Sequence, residues 1–249
     1  MHPVNCIAPL KDRLMKSRKP IIILVSLLAL LLLGYLLWPH AFTVVSIQEM
    51  EEQKISETFD PVKYVDGIWE SKILPAVATK AVDLANILNA MKPNAQGIAA
   101  KNDLIEVAEQ YGLITVGEAH VFLVKGEAKV VSVDTSTSLG VMEIQPVGYD
   151  GSIQVLVYLG PRVPSDETSV RDGVGFINFG DFKEQTEFGK VGSELNKRAI
   201  SHAYASVDKE QLVGQTIVFT GAMTIRTFNL VDIDLKKVTI IPITVEVKG

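Results

Sequence analysis

From Ile21 to Trp38 the chain is almost wholly apolar, and its basic neighbours lie on one side only. Lys11, Arg13, Lys16, Arg18 and Lys19 precede the run; the next Lys or Arg is Lys54. About 18 apolar residues, rising about 1.5 Å each as a helix, cross most of a bilayer core about 30 Å thick. Positively charged flanks stay on the cytoplasmic side. The run therefore predicts a single-pass signal-anchor over 21–38, with everything after about Phe42 outside the cytoplasm. A cleaved signal peptide has a shorter core ending in a small-x-small site. Here the exit is Leu37-Trp38-Pro39-His40, and Tyr35 and Trp38 suit the lipid–water interface. The competing reading is a long signal peptide cut near Ala41.

Charge divides along the same line. Residues 1–40 carry five Lys/Arg and one acid, Asp12, which leaves a balance of −9 on the rest of a chain whose total is −5. Binding a polyanion needs clustered Lys/Arg to release counterions. No such cluster follows the apolar run, which argues against nucleic acid as a partner. Cys6 is the sole cysteine and lies before the run, so no intramolecular disulfide forms. That usage fits a bacterial periplasmic protein better than a eukaryotic secreted one. The 210 or so residues after the run suffice for one core without staples.

Organisation follows from patterning. Residues 1–20 read as a cytoplasmic basic tail, and 39–58 as a linker with a short strand at Thr43–Ile47. Asp60-Pro61 is a helix start, because the Asp carboxylate accepts an orphan N–H and Pro has its φ pre-set. Val62, Val65, Trp69, Ile73, Val77, Leu84, Leu88 and Met91 then recur at helical spacing. Pro75 should kink this long helix, and Pro93-Asn94 should end it. A second helix is expected over 95–111, with Gly112 as a left-handed cap, giving a helical hairpin over 59–112. Val62, Val65, Trp69 and Ile73 read as the seam against Leu104 and Ala108.

From Gly117 the period changes to that of strands. Three β stretches, at 120–133, 140–147 and 152–159, precede an irregular segment to about Gly180. Asp181 is expected to cap a helix over 182–204, within a helical insertion at 181–206. Two further strands cover 215–224 and 237–247, with Pro242 marking an edge or a bulge. Three strands, a helical insertion and two strands is the order of an OB-type barrel, and Gly126 and Gly221 fall where such strands must bend. The predicted fold is α+β: a transmembrane helix, then a helical hairpin beside an OB-like five-stranded antiparallel barrel over 113–249. The plainer alternative is a generic meander or open sheet.

Several segments carry a resemblance. They are Phe59-Asp60-Pro61 through Trp69-Glu70-Ser71-Lys72-Ile73-Leu74-Pro75, Glu109-Gln110-Tyr111-Gly112, Val170-Arg171-Asp172, Phe179-Gly180-Asp181-Phe182 to Leu195-Asn196-Lys197, and Ile241-Pro242-Ile243. In this order, over about residues 43–248, the chain resembles the predicted periplasmic lipoproteins of domain of unknown function 2291. The resemblance implies one extracytoplasmic module, often encoded beside sugar ABC transporters, with no established activity. One departure matters. A lipoprotein carries its lipid on a Cys after a Leu-x-Gly triplet, whereas Leu32-Leu33-Gly34 is followed by Tyr35. The helix itself must then hold the membrane, which it does more firmly than acyl chains.

Catalytic signatures are missing. His40, His120 and His202 are scattered, with no pair at ligand spacing. Gly192-Ser193 lacks the second glycine of a nucleophile elbow, and Gly173-Val174-Gly175 extends to no nucleotide fingerprint. No cofactor, metal or nucleotide is expected. The candidate ligand site is the segment after the third strand, with Arg171, Asp172, Asn178, Phe179, Phe182, Gln185 and Asn196, accompanied by Phe176 and Asp181. Arg and Asp orient sugar hydroxyls, and Phe rings stack on C–H faces. The alternative is that Arg171 and Asp172 pin the loop while the Phe residues plug the barrel end. Gln185 and Asn196, eleven apart, should share a helix face. Asp166 and Glu167 read as a solvated turn. The leading functional expectation is a non-enzymatic binding or adaptor module at the outer face of the bacterial inner membrane, partnered by a sugar or a transport-system protein. A structural envelope-assembly role and a carbohydrate- or peptidoglycan-acting enzyme are the alternatives.

Overall fold

The computed structural model describes residues 22–32 and 59–248. The chain divides into two units, 1–58 and 59–249. In the first, residues 22–32 are helical with every side chain exposed. The rest of the apolar run, its basic flank, Cys6, Tyr35, His40 and the Thr43–Ile47 stretch lie outside the described residues. Among the described residues, no helix is long and apolar enough to cross a membrane.

The second unit opens with helix α1 (Pro61–Ile68). Asp60 caps it, its Oδ1 accepting the Val62 and Lys63 N–H groups at 2.9 and 3.2 Å. The kink expected at Pro75 is instead a π-turn just before it, Trp69–Ile73, in which the Leu74 N–H donates to the Trp69 carbonyl. Proline cannot donate to the ladder, and here it sits harmlessly in the first turn of α2 (Leu74–Lys80). The expected long helix then breaks. Ala81 turns extended, Val82–Asp83 form the short strand β1, and Asp83 caps α3 (Leu84–Met91) by accepting the Ala85 N–H. Lys92, left-handed at φ 43°, ends α3.

The second expected helix is shorter than its sequence pattern. Residues Ile98–Ala100 form β2, and α4 covers Lys101–Tyr111. Gly112 is extended, at φ −146°, rather than left-handed. Its need for glycine is steric, because a Cβ would fall 2.5 Å from the Val121 carbonyl oxygen. Strand β3 (Leu113–Ile114) follows.

The main sheet is built on β4 (Ala119–Asp134), with β5 (Val141–Pro146), β6 (Gln154–Tyr158), β7 (Thr216–Arg226) and β9 (Lys237–Val247). Pairings run β4–β5–β6–β9–β7, and β7 returns to β4 along Ala119–Lys129. All are antiparallel except β6–β9. β1 and β3 add to the other edge of β4, making seven strands rather than the expected five. The ring also splits at one end. β7 and β9 pair from Ile217↔Val247 to Met223↔Ile240 and then part. Thr224–Arg226 stay with β4, and Lys237–Ile240 stay with β6. The expected closed barrel is therefore a seven-stranded sheet open at this seam. Pro242 lies opposite Gly221 at a register shift, so the bulge reading of Pro242 holds and the edge reading does not. Gly221 is required there, since a Cβ would lie 2.5 Å from Ile240 Cγ2. β8 (Asp232–Asp234) leaves the ring to pair with β2.

Two cores result. Inside the ring, Phe122, Val124, Phe219, Met223 and Ile240 pack with Leu84, Leu88, Met91, Leu104 and Ala108. Outside it, Leu123, Ala222, Ile241 and Ile243 pack under Val65, Trp69, Ile73 and Val77, with residues of α5 (Ser169–Val174) and α6 (Gln185–Ala203). The expected seam between Trp69 and Leu104 is thus divided between two cores, because the break at Ala81 sends α1–α2 and α3 to opposite faces of the sheet. Val62, expected on the buried face, is exposed. The first half of β4 reads as one apolar run because both its faces are covered; its second half alternates because one face meets water.

Candidate functional site

Helix α5 lies inside the segment that reads as irregular in sequence, because Gly173 and Gly175 mask its pattern. Gly175 ends it at φ 74°, and Lys80 Nζ donates to the Val174 carbonyl at 2.7 Å. The sequence-predicted residues gather here, engaged with one another. Arg171 is 8% exposed. Its Nε donates to Asp172 Oδ1 at 2.8 Å, its Nη1 donates to the Phe188 carbonyl at 3.3 Å, and its guanidinium lies 3.6 Å from the Phe188 ring centre. Phe182 meets Phe59 and Tyr64 at ring-centre distances of 5.5 Å, and Phe179 meets Phe188 at 5.6 Å.

Asp181 does not cap α6, which starts four residues later behind Glu184. It accepts the Asn178 N–H at 2.9 Å and closes a short 3₁₀ turn, Phe179–Asp181. Asn178 and Gln185 are exposed, whereas Asn196 is buried and donates to the Glu167 carbonyl at 2.8 Å. Gln185 and Asn196 therefore do not share an inward face. The geometry is that of a pinned loop: aromatic rings plug it, and the Arg171–Asp172 pair closes on itself.

Among the described residues four buried polar atoms have no partner: Trp69 Nε1, His120 Nδ1, Asn196 Oδ1 and, in the seam where β7 and β9 part, Thr224 Oγ1. A cleft of about 310 Å³ opens there, walled by Tyr158, Glu167, Thr224, Arg226, Asp234 and Lys237. Each arrives from a strand end or from the turn before α5, so rigid elements hold the rim. Arg226 reaches Asp166, with Nη1 3.0 Å from Oδ2 and Nη2 donating to the carbonyl. Glu167 Oε1 accepts the Thr168 and Ser169 N–H groups at 3.0 Å each, which fixes its carboxylate. Asp234 accepts the Lys236 N–H at 2.9 Å, and this holds its carboxyl below the usual carboxylate range. Burial, then Glu167 and Asp166, push the Tyr158 phenol up while Arg226 pulls it down, so the ring offers a neutral hydroxyl at physiological pH. Thr224 Oγ1 is buried and has no hydrogen-bond partner. An unpaired buried hydroxyl costs free energy unless something binds it.

Sequence reasoning missed this cleft because its residues are far apart in the chain. One signal was present: Arg226 and Lys237 bracket the connection between the last two ring strands, where OB folds place ligands. Among the described residues, no group of three or more His, Cys, Asp or Glu is placed to hold a metal. His120 is 1% exposed in β4 with Nδ1 unpartnered, and His202 packs edge-on to Trp69 at 5.7 Å. Neither stands beside a nucleophile in the cleft.

Strand order, the parallel β6–β9 pair and the helices between β6 and β7 define a mixed α+β protein of OB type with a polar cleft. An OB-fold protein from Thermotoga maritima shares that fold, at a TM-score of 0.56 and 15% identity, over 77% of this chain and 100% of that one. Residues 30–246 match the family described as Predicted periplasmic lipoprotein (DUF2291), and the chain belongs to that family. No curated protein matches the sequence. The family's description is periplasmic and assigns no activity.

Proposed function

We propose that this protein is a non-enzymatic binding module, held at the outer face of the inner membrane by residues 21–38, whose cleft takes a small polyhydroxylated solute such as a sugar. The observation that carries the reading is the seam between β7 and β9. There Thr224, whose buried hydroxyl has no partner, a neutral Tyr158 phenol and fixed charges of both signs line about 310 Å³. That volume is at the small end of ligand pockets, which run from about 300 to 1,000 Å³. OB folds bind oligonucleotides and oligosaccharides at this end of the barrel. The balance of −9 after the apolar run disfavours polyanions.

Anchoring by the apolar run is favoured by its one-sided basic flank and by Tyr35 at the position a lipid-bearing cysteine would take. A membrane-held solute binder fits a partner in a transport system, which would take over the ligand. The test is a thermal-shift screen of the detergent-solubilised full chain against mono- and disaccharides. At least one sugar should raise the melting temperature, and Arg226→Ala should abolish the shift. Flat curves across the panel overturn the reading.

A further inference from the structure

The described domain concentrates exposed apolar side chains in two neighbouring turns. The first, around β3, carries Leu113, Ile114 and Val116, and Val116 is fully exposed. The second, between β7 and β8, carries Phe228, Leu230 and Val231, of which Val231 is 78% exposed. The turns are tied together. Thr227 Oγ1 donates to the Glu118 carbonyl, the Lys101 N–H donates to the Val231 carbonyl at 2.8 Å, and Lys101 Nζ pairs with the Glu118 carboxylate. Glu118 and Asn229 hold the turns in left-handed conformations, at φ 59° and 57°. Six apolar side chains therefore project from one end of the domain on a preformed frame. Residues 112–117 and 227–231 contain no charge, in a part of the chain whose balance is −9.

We infer that these two turns rest in a lipid surface, their apolar side chains entering the headgroup–acyl boundary of the membrane from which the chain hangs. The inference rests on the anchor proposed above. Residues 39–58, however arranged, extend no further than about 70 Å, so the domain stays within reach of the bilayer and side-chain chemistry selects the face that touches it. Acidic faces are repelled by anionic headgroups, whereas the uncharged turns have no ions to desolvate. Behind them Lys101 pairs with Glu118 and Arg226 with Asp166, and the exposed Glu118 and Asp232 mark the border beyond which the turns would not sink. A protein partner would need about 800 Å² of continuous face, and two protruding turns offer points rather than a face. The strands that the second turn joins line the cleft, through Thr224–Arg226 of β7 and Ile233–Asp234 of β8, so this contact would bring the cleft close to the lipid.

The test uses full-length protein carrying Cys6→Ser in nanodiscs of phosphatidylethanolamine and phosphatidylglycerol. Single cysteines at Val116, Val231 and Val218 carry an environment-sensitive dye; Val218 is an exposed control in β7. Doxyl-labelled lipid should quench the dye at 116 and 231 at least twofold more than at 218. Equal quenching at all three sites, with the protein retained in the discs, overturns the lipid contact alone. Loss of the protein from the discs overturns the contact and the anchor together.

Discussion

Arg171 finds its partners inside the protein: Nε on Asp172, Nη1 on the Phe188 carbonyl, the guanidinium face on the Phe188 ring. In the cleft at the β7–β9 seam the same residue types meet water. Arg226 is more than half exposed, its Asp166 partner is more exposed still, and the Thr224 hydroxyl has no partner. Composition does not separate the two regions, since each holds an Arg–Asp pair and at least one aromatic ring. Saturation does. A buried, satisfied pair is costly to break and has nothing left to offer a ligand, while an exposed pair adds little stability and keeps its hydrogen-bonding capacity.

The sharpest way to break that contrast is Arg171→Ala. It strips a buried partner from Asp172 and from the Phe188 ring, so it should cost about 2–4 kcal/mol and lower the melting temperature by roughly 5–10 °C. Affinity for any sugar found in the screen should stay unchanged; a variant of wild-type stability with lost binding would reverse the roles assigned to the two regions. Thr224→Val should do the opposite. Removing an unpartnered hydroxyl at constant shape leaves stability unchanged or raised by up to about 1 kcal/mol, while titration calorimetry should show ligand affinity reduced about tenfold.

The smallest effect expected is one of pH. Burial, then Lys101, hold the His120 imidazole below its ordinary pKa, with Glu118 opposing. The folded state therefore keeps it neutral when the unfolded chain already takes up a proton. Stability should be full above about pH 6.5 and decline as pH falls below that value toward the lowered folded pKa. Melting curves between pH 7.5 and 5 should show the slope, and His120→Gln should flatten that part of it. An unchanged slope in the variant would assign the effect to another group.

Much of the fold was legible because it rests on local physics. Asp60-Pro61 starts a helix by capping, the order of strands and helical insertion points to an OB-type sheet, and Gly221 bends a strand whose neighbour carries Pro242. What the sequence concealed was non-local. Spacing placed Trp69 and Leu88 on one stripe, yet a two-residue strand at Val82–Asp83 parts them to opposite faces of the sheet. Gly112 looked like a cap because its crowding comes from Val121, nine residues on. The cleft was concealed for the same reason: Tyr158, Thr224 and Lys237 share no window, and a hydroxyl shows itself as unpaired only once its neighbours are placed. The Arg171 segment drew attention by composition, which reports what side chains are present and not whether they are already engaged.

The π-turn at Trp69–Ile73 lets that stretch carry one residue beyond what an ordinary helix needs. A loop closed from residue i to i+5 holds one residue more than an ordinary helical turn, and Glu70, Ser71 and Lys72 on it face solvent. Exchanging any of these three is expected to be tolerated. Deleting one would remove that extra residue and let an ordinary helical ladder run through, with Val65, Trp69, Ile73 and Val77 then at spacings of four, three and four and still on one face. Point changes and a single-residue deletion at these three positions should therefore both leave Val77 in the outer core.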